Sequence, residues 1–231
     1  MRTIKKLIFR MTRATGYAAA LLVALAGTAT VAHAVFTPIT VPNYSFEDPT
    51  TGDFAAFTGA DWQLGSGISS AGVLNFSDIS FWYNDSFAPP DGDQIGFLND
   101  NGTAGIYEDV GTDFIAGDEY KLSIYFGARE DDIGAAGEIS LEDSSGNILA
   151  TSGSIAPASG DFLQATIYYT ATEGEDGQPI RIQIANTSSP DVQLNMDLVQ
   201  LAVPEPSEYA LWAGLVGLGV VAVRKLRCRA V

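Results

Sequence analysis

The chain has 231 residues, a formal net charge of −16, one histidine and one cysteine. His33 and Cys228 lie near the two ends, so the middle has no material for a disulfide framework, a Cys/His zinc site, a Ser-His-Asp triad or a Cys-His nucleophile. Between residues 35 and 203 only Lys121, Arg129 and Arg181 stand against 26 acids, a net charge of −23 that excludes a nucleic-acid or anionic-membrane surface.

Residues 1–34 carry Arg2, Lys5, Lys6, Arg10 and Arg13 without an acid, then the apolar run Tyr17–Ala26, then Ala32-His33-Ala34. A basic start, a short apolar stretch and an A-x-A site form a secretory signal peptide, with cleavage by signal peptidase expected after Ala34. The run is shorter than the roughly 20 apolar residues a spanning helix needs.

From residue 35 the chain consists of short apolar or alternating runs separated by Gly, Asn, Asp, Ser and Pro. Expected strands are Ile39–Asn43, Trp62–Leu64, Val73–Phe76, Gln94–Leu98, Gly105–Val110, Tyr120–Ala128, Glu138–Glu142, Asn147–Ser152, Phe162–Tyr169, Ile180–Ala185 and Gln193–Leu201. Lys121–Phe126, Gln164–Tyr169 and Arg181–Ile184 alternate with period two, so one face is buried and the other wet. No long segment shows a 3.6-residue apolar period, which predicts an all-β antiparallel sandwich over 35–202. A domain of this length buries about 70% of its unfolded surface without staples.

At the C-terminus Val203-Pro204-Glu205-Pro206-Ser207 precedes the apolar run Tyr209–Val223 and a tail with Arg224, Lys225, Arg227 and Arg229. As a helix the run spans about 22 Å, and the positive-inside bias keeps the tail cytoplasmic. The order of these three parts resembles the PEP-CTERM sorting signal of Gram-negative bacteria. The resemblance implies a single transmembrane helix, processing by an exosortase and delivery to the cell surface or exopolysaccharide matrix. The domains expected are a signal peptide at 1–34, a β-sandwich at 35–202 and a sorting signal at 203–231.

The body also resembles the jelly-roll carbohydrate-binding modules related to galactose-binding-like domains. The similarity lies in Asn43, Phe46 and Glu47, in Asp61-Trp62, in Ala116–Ser123 and in Asp197–Leu201. It implies a jelly roll with first and last strands side by side, and one structural calcium held by Glu47 and Asp197, because a hard cation takes several oxygen ligands. Read from the residues alone, both carboxylates are equally well exposed charges at strand ends.

Phe81-Trp82-Tyr83, followed by Asn84 and Asp85, is the densest aromatic group. Three consecutive aromatics cannot all face one side of a strand. Trp82 and Tyr83 beside Asn84 and Asp85 form a candidate carbohydrate-binding set, with flat faces for stacking and polar groups for hydroxyls; the plainer reading puts Phe81 and Tyr83 in the core. Trp62 is expected in the core. The acid clusters Glu130-Asp131-Asp132 and Glu173 to Asp176 read as solvated turns, since a glycosidase needs two carboxylates at a spacing that sequence does not reveal. The function expected is a secreted, non-catalytic surface or matrix protein that binds exopolysaccharide. The alternatives are a purely structural, adhesive matrix protein and a carboxylate-dependent glycan hydrolase.

Overall fold

The structure, a computed structural model, describes residues 36–204 except 59, 60, 84–87 and 132 and the side chains of Trp82 and Pro204. Ala32, Ala34, Asn84, Asp85, Glu205, Pro206, Ser207 and the basic tail lie outside the described residues.

Twelve strands form two antiparallel sheets. In chain order they are β1 Phe36–Ile39, β2 Phe54–Ala56, β3 Gln63–Leu64, β4 Ala71–Asn75, β5 Gln94–Leu98, β6 Ile106–Asp113, β7 Glu119–Ala128, β8 Gly137–Glu142, β9 Ile148–Thr151, β10 Asp161–Thr170, β11 Pro179–Asn186 and β12 Leu194–Pro204. The first sheet runs β10-β7-β12-β5-β4-β2, with β1 also on β12, and the second runs β3-β6-β11-β8-β9. Helix among the described residues is confined to one turn, Phe76–Ile79, and a 3-10 turn, Ser80–Trp82. Asn75 caps the first turn by accepting from the Ser77 amide.

Alternation sets which side chains meet between the sheets. On β11, Ile180, Ile182 and Ile184 are fully buried while Arg181 and Gln183 face away. On β7, Tyr120, Leu122, Ile124, Phe126 and Ala128 point into the core, which leaves Lys121, Ser123 and Tyr125 on the outer face. Trp62 lies in the core, stacked on Phe46 at 5.3 Å, and its indole N–H donates to the Asn43 carbonyl.

Two segments differ from the sequence expectation. β2 is absent from the expected strands because it is three residues long and weakly apolar; it forms because β4 offers a rung to each of its residues. The first strand, expected at Ile39–Asn43, lies at Phe36–Ile39, where it pairs with the end of β12 through Phe36–Pro204 and Thr37–Val203. Val203 and Pro204, expected to open the sorting motif, are rungs of this strand.

Candidate functional site

The outer face of the first sheet is the feature that the pattern of alternation does not account for. Ser123 and Gly127 point away from the core, yet both are buried. Something lies over this face, and it differs between the two ends of the sheet.

At one end the segment after β4 folds back over the strands. Phe76, Ile79, Tyr83 and Ile95 form a second apolar cluster, with Leu74 and Phe162 packed against it. The Phe162 ring occupies the space above Gly127, where a Cβ would meet it at 2.6 Å. Tyr83 stacks on Phe162 at 5.3 Å and tilts against Phe76 at 5.2 Å. Asn195, fully buried on β12, donates its side-chain amide to the Tyr83 hydroxyl. Its carbonyl accepts from Gln193 at 2.6 Å, and Gln193 accepts in turn from Arg129 at 3.0 Å. Arg129 ends the chain in a two-bond fork on Asp131. A polar line thus runs from a buried phenol to the surface. Tyr83, expected in either an exposed sugar-binding set or the core, is buried; of the three consecutive aromatics Phe81 is exposed.

Two residues further along β12, Asp197 is fully buried. Its carboxylate accepts from the Asp91 amide at 2.8 Å and from its own neighbour Leu198 at 2.7 Å. Burial pushes its pKa up to about 8 against those two amide bonds, and the nearby Asp91 and Glu47 charges add to the rise. Glu47 accepts from the amides of Asp93 and Gln94, both at 2.9 Å. Its carboxylate oxygen lies 2.0 Å from where a Cβ of residue 92 would stand, so only glycine, at φ +65°, fits there. Asn43, Phe46 and Leu198 all have positive φ. Three strained non-glycine residues therefore flank one carboxylate pair, a concentration found at functional sites. The structure brings Glu47, half-buried in the loop between β1 and β2, close enough to Asp197, buried within β12, for their charges to interact.

These donors suit a hard cation in kind: they are all oxygen, mutually repelling, and no cation among the described residues pairs with them. Among the described residues no group of three or more His, Cys, Asp or Glu is placed to hold a metal ion. A cation here would rest on two carboxylates with backbone oxygens or water completing the shell.

At the other end of the same face the sheet is open. A pocket of about 420 Å³ lies on Lys121, Ser123 and Gln200, walled by Phe36, Pro38 and Tyr44. Its walls are apolar or aromatic, and its polar groups are few and convergent, which is the usual make-up of a small-molecule site. The wall carrying Tyr44 is tied to the carboxylate pair. The Tyr44 carbonyl accepts from Val199, in the bulge where β12 slips register against β7 just past Asp197, and Glu47 follows three residues later. Sequence reading missed this pocket, because its walls come from opposite ends of the domain; the exposed aromatic Tyr44 beside Asn43 was the available signal.

The family model for HpiC1-like proteins, described as HpiC1 cyclase, matches residues 37–202. Among solved structures, a Stig cyclase, Fisc, from Fischerella sp. TAU in complex with (3Z)-3-(1-methyl-2-pyrrolidinylidene)-3H-indole is similar at TM-score 0.62 and 19% identity, covering 74% of this chain and 99% of that one. A cyclase from Fischerella sp. TAU in complex with 4-(1H-indol-3-yl)butan-2-one is similar at TM-score 0.62 and 19% identity, over 73% of this chain and 98% of that one. The CBM22-1 xylan-binding domain from Paenibacillus barcinonensis Xyn10C reaches TM-score 0.50 at 13% identity, over 75% of this chain and 99% of that one. Among curated proteins none matches the sequence. At these identities the structural likenesses establish the fold alone.

The family match corrects the functional expectations. A family built on a cyclase overturns the non-catalytic, polysaccharide-binding matrix protein and the expectation that the chain is not an enzyme. The likeness to carbohydrate-binding modules goes no further than the sandwich, because turn and strand-end motifs specify the scaffold and not what its outer face holds. The PEP-CTERM reading, with its exosortase and transmembrane helix, is likewise replaced. The matched family is a cyclase family; the apolar run Tyr209–Val223 lies outside the described residues, among which no helix is long and apolar enough to cross a membrane. The chain belongs to the HpiC1-like cyclase family, whose model spans its sandwich from Thr37 to Ala202.

Proposed function

We propose that the protein is a cyclase that takes a small, planar, unsaturated molecule of the indole class onto the outer face of the first sheet and closes a ring within it. The observation that carries this reading is the pocket of about 420 Å³ over Lys121, Ser123 and Gln200. Both ligands named in the similar cyclase structures carry an indole skeleton, which supports the substrate class.

Ring closure within one molecule needs no leaving group and no second substrate. The protein's contribution is a folded substrate conformation and a wall that excludes water. Phe36 and Tyr44 present flat faces against which a bicyclic aromatic stacks, and the Tyr44 hydroxyl, Gln200 and Ser123 orient a heteroatom.

Calcium belongs to the same proposal. Glu47 and Asp197 would hold one ion, which neutralises the buried carboxylates and pins the Val41–Asp48 segment that carries Tyr44. Residues 1–34 are proposed to direct export with cleavage after Ala34; an N-terminus of the mature protein at any residue before Val35 overturns that part.

The test of catalysis is incubation of the purified protein with a panel of indoles bearing an unsaturated side chain. Products are separated by chromatography and weighed, since a cyclised product is an isomer of unchanged mass. We expect at least one isomer, lost in Tyr44→Ala. No isomer from any panel member, together with no saturable binding of 4-(1H-indol-3-yl)butan-2-one, overturns the reading.

A further inference from the structure

The domain's three cations are not equivalent. Arg129 is paired with Asp131 at 2.6 Å and Arg181 with Asp109 at 2.8 Å. Lys121 has no ion pair among the described residues. It stands mid-sheet on β7, half-buried, with uncharged neighbours across the rungs, Tyr168 on β10 and Ala202 on β12. Its ammonium lies 5.9 Å from the centre of the Phe36 ring. Glu119, two residues along the same face of β7, makes no ion pair with it and does not line the pocket.

The pocket that receives Lys121 is also the reverse of the molecule in charge. Against a body of 26 acids and three bases, its lining contains one base and no acid. The same lining includes groups able to donate to an oxygen, the hydroxyls of Ser123 and Tyr44 and the amide of Gln200. A half-buried ammonium gains most from an ionic partner, and none of the described residues supplies one. A bound anion would.

We propose that the pocket takes an acidic ligand, a planar apolar body carrying a carboxylate, with Lys121 as the residue that selects the anion. This deepens the cyclase reading and rests on it for the planar body. The carboxylate lies against the ammonium, Ser123 and Gln200, and the ring system lies between Phe36 and Tyr44. The negative field of the surrounding body disfavours acids elsewhere on it, which adds to the selectivity of this pocket.

Two probes of nearly equal shape test it. 4-(1H-Indol-3-yl)butan-2-one is neutral, and 3-(1H-indol-3-yl)propanoate replaces its terminal methyl with a carboxylate oxygen. Their affinities for the purified protein are measured by titration calorimetry at low and high salt. We expect the acid to bind about tenfold more tightly at low salt, the advantage shrinking as salt rises. Lys121→Gln should erase the advantage, so that acid and ketone bind with equal affinity, and Lys121→Arg should keep most of it. Equal affinity of the two probes, or a preference that survives in Lys121→Gln, overturns the carboxylate assignment and leaves the cyclase reading standing. Failure of both probes to bind overturns the carboxylate assignment and, together with the absence of any isomer, the cyclase reading as well. If Lys121→Gln does not fold, the salt dependence in the unaltered protein and the Lys121→Arg variant still decide the matter.

Discussion

Glu108 is the residue whose position costs the fold most visibly. It lies on β6 between Ile106 and Val110, on the side that faces the core, and one of its carboxylate oxygens is buried without a hydrogen-bond partner. Burial, with smaller contributions from Asp61 and Asp109, pushes its pKa up to about 8. The folded state therefore holds a proton that the unfolded chain has released above its ordinary value of 4.5. The stability this contributes is complete below that value and is lost as pH rises towards 8. Glu108→Gln should flatten this part of the curve, by up to about 1.4 kcal/mol for each pH unit removed. Urea unfolding at pH 4.5 to 8 reads the difference, and an unchanged slope would refute the assignment. Asn195 is the opposite case, a buried polar group whose bonds to Tyr83 and Gln193 are made. Asn195→Leu should cost about 1–3 kcal/mol, because it strips one partner from each of two enclosed groups.

At the scale of elements, β1 and β12 matter most, since together they turn a flat sheet into a walled site. β1 has four residues and pairs only with β12. Its Phe36 reaches Tyr168 at 6.4 Å and Lys121 at 5.9 Å without entering the core. Phe36→Ala should thus weaken binding of the indole ketone about tenfold while lowering stability by less than about 1 kcal/mol. A loss of stability with unchanged binding would show that β1 braces the sheet and does not wall a site. The start of β6 behaves differently. Gly105, at φ +44°, sits so close to β11 that a Cβ would stand 1.9 Å from the Ile184 carbonyl oxygen. Gly105→Ala should cost at least about 2 kcal/mol in urea unfolding, since the clash is with β11 backbone, which has no side-chain freedom to yield.

For the whole molecule the governing quantity is the −23 charge of the body. Two ion pairs among the described residues do little against it, so self-repulsion should make the fold salt-sensitive. The melting temperature should rise with sodium chloride through screening. If Glu47 and Asp197 hold calcium, millimolar calcium should raise it well beyond sodium at equal ionic strength, and Glu47→Gln should remove that excess. Equal effects of the two salts would leave screening as the whole explanation.

The sandwich was largely legible in sequence, because a strand buried on one face must alternate, and β7, β10 and β11 do so within a residue or two of their observed bounds. β2 was not, being three residues whose pairing depends on β4. Of the candidate sugar-binding set Trp82, Tyr83, Asn84 and Asp85, the structure describes the side chain of Tyr83 alone, buried just after the 3-10 turn Ser80–Trp82. Composition by itself determined that chemistry in the body uses oxygen ligands, aromatic faces and very few cations, because residue types are present or absent whatever the fold. Only tertiary structure decided which cation is left unpaired, which carboxylates are forced together and where the pocket lies. Lys121 meets Phe36 and Gln200 across 85 and 79 residues, and Glu47 meets Asp197 across 150. Such meetings follow from strand order and from a bulge in β12, neither of which is written in any local run of residues.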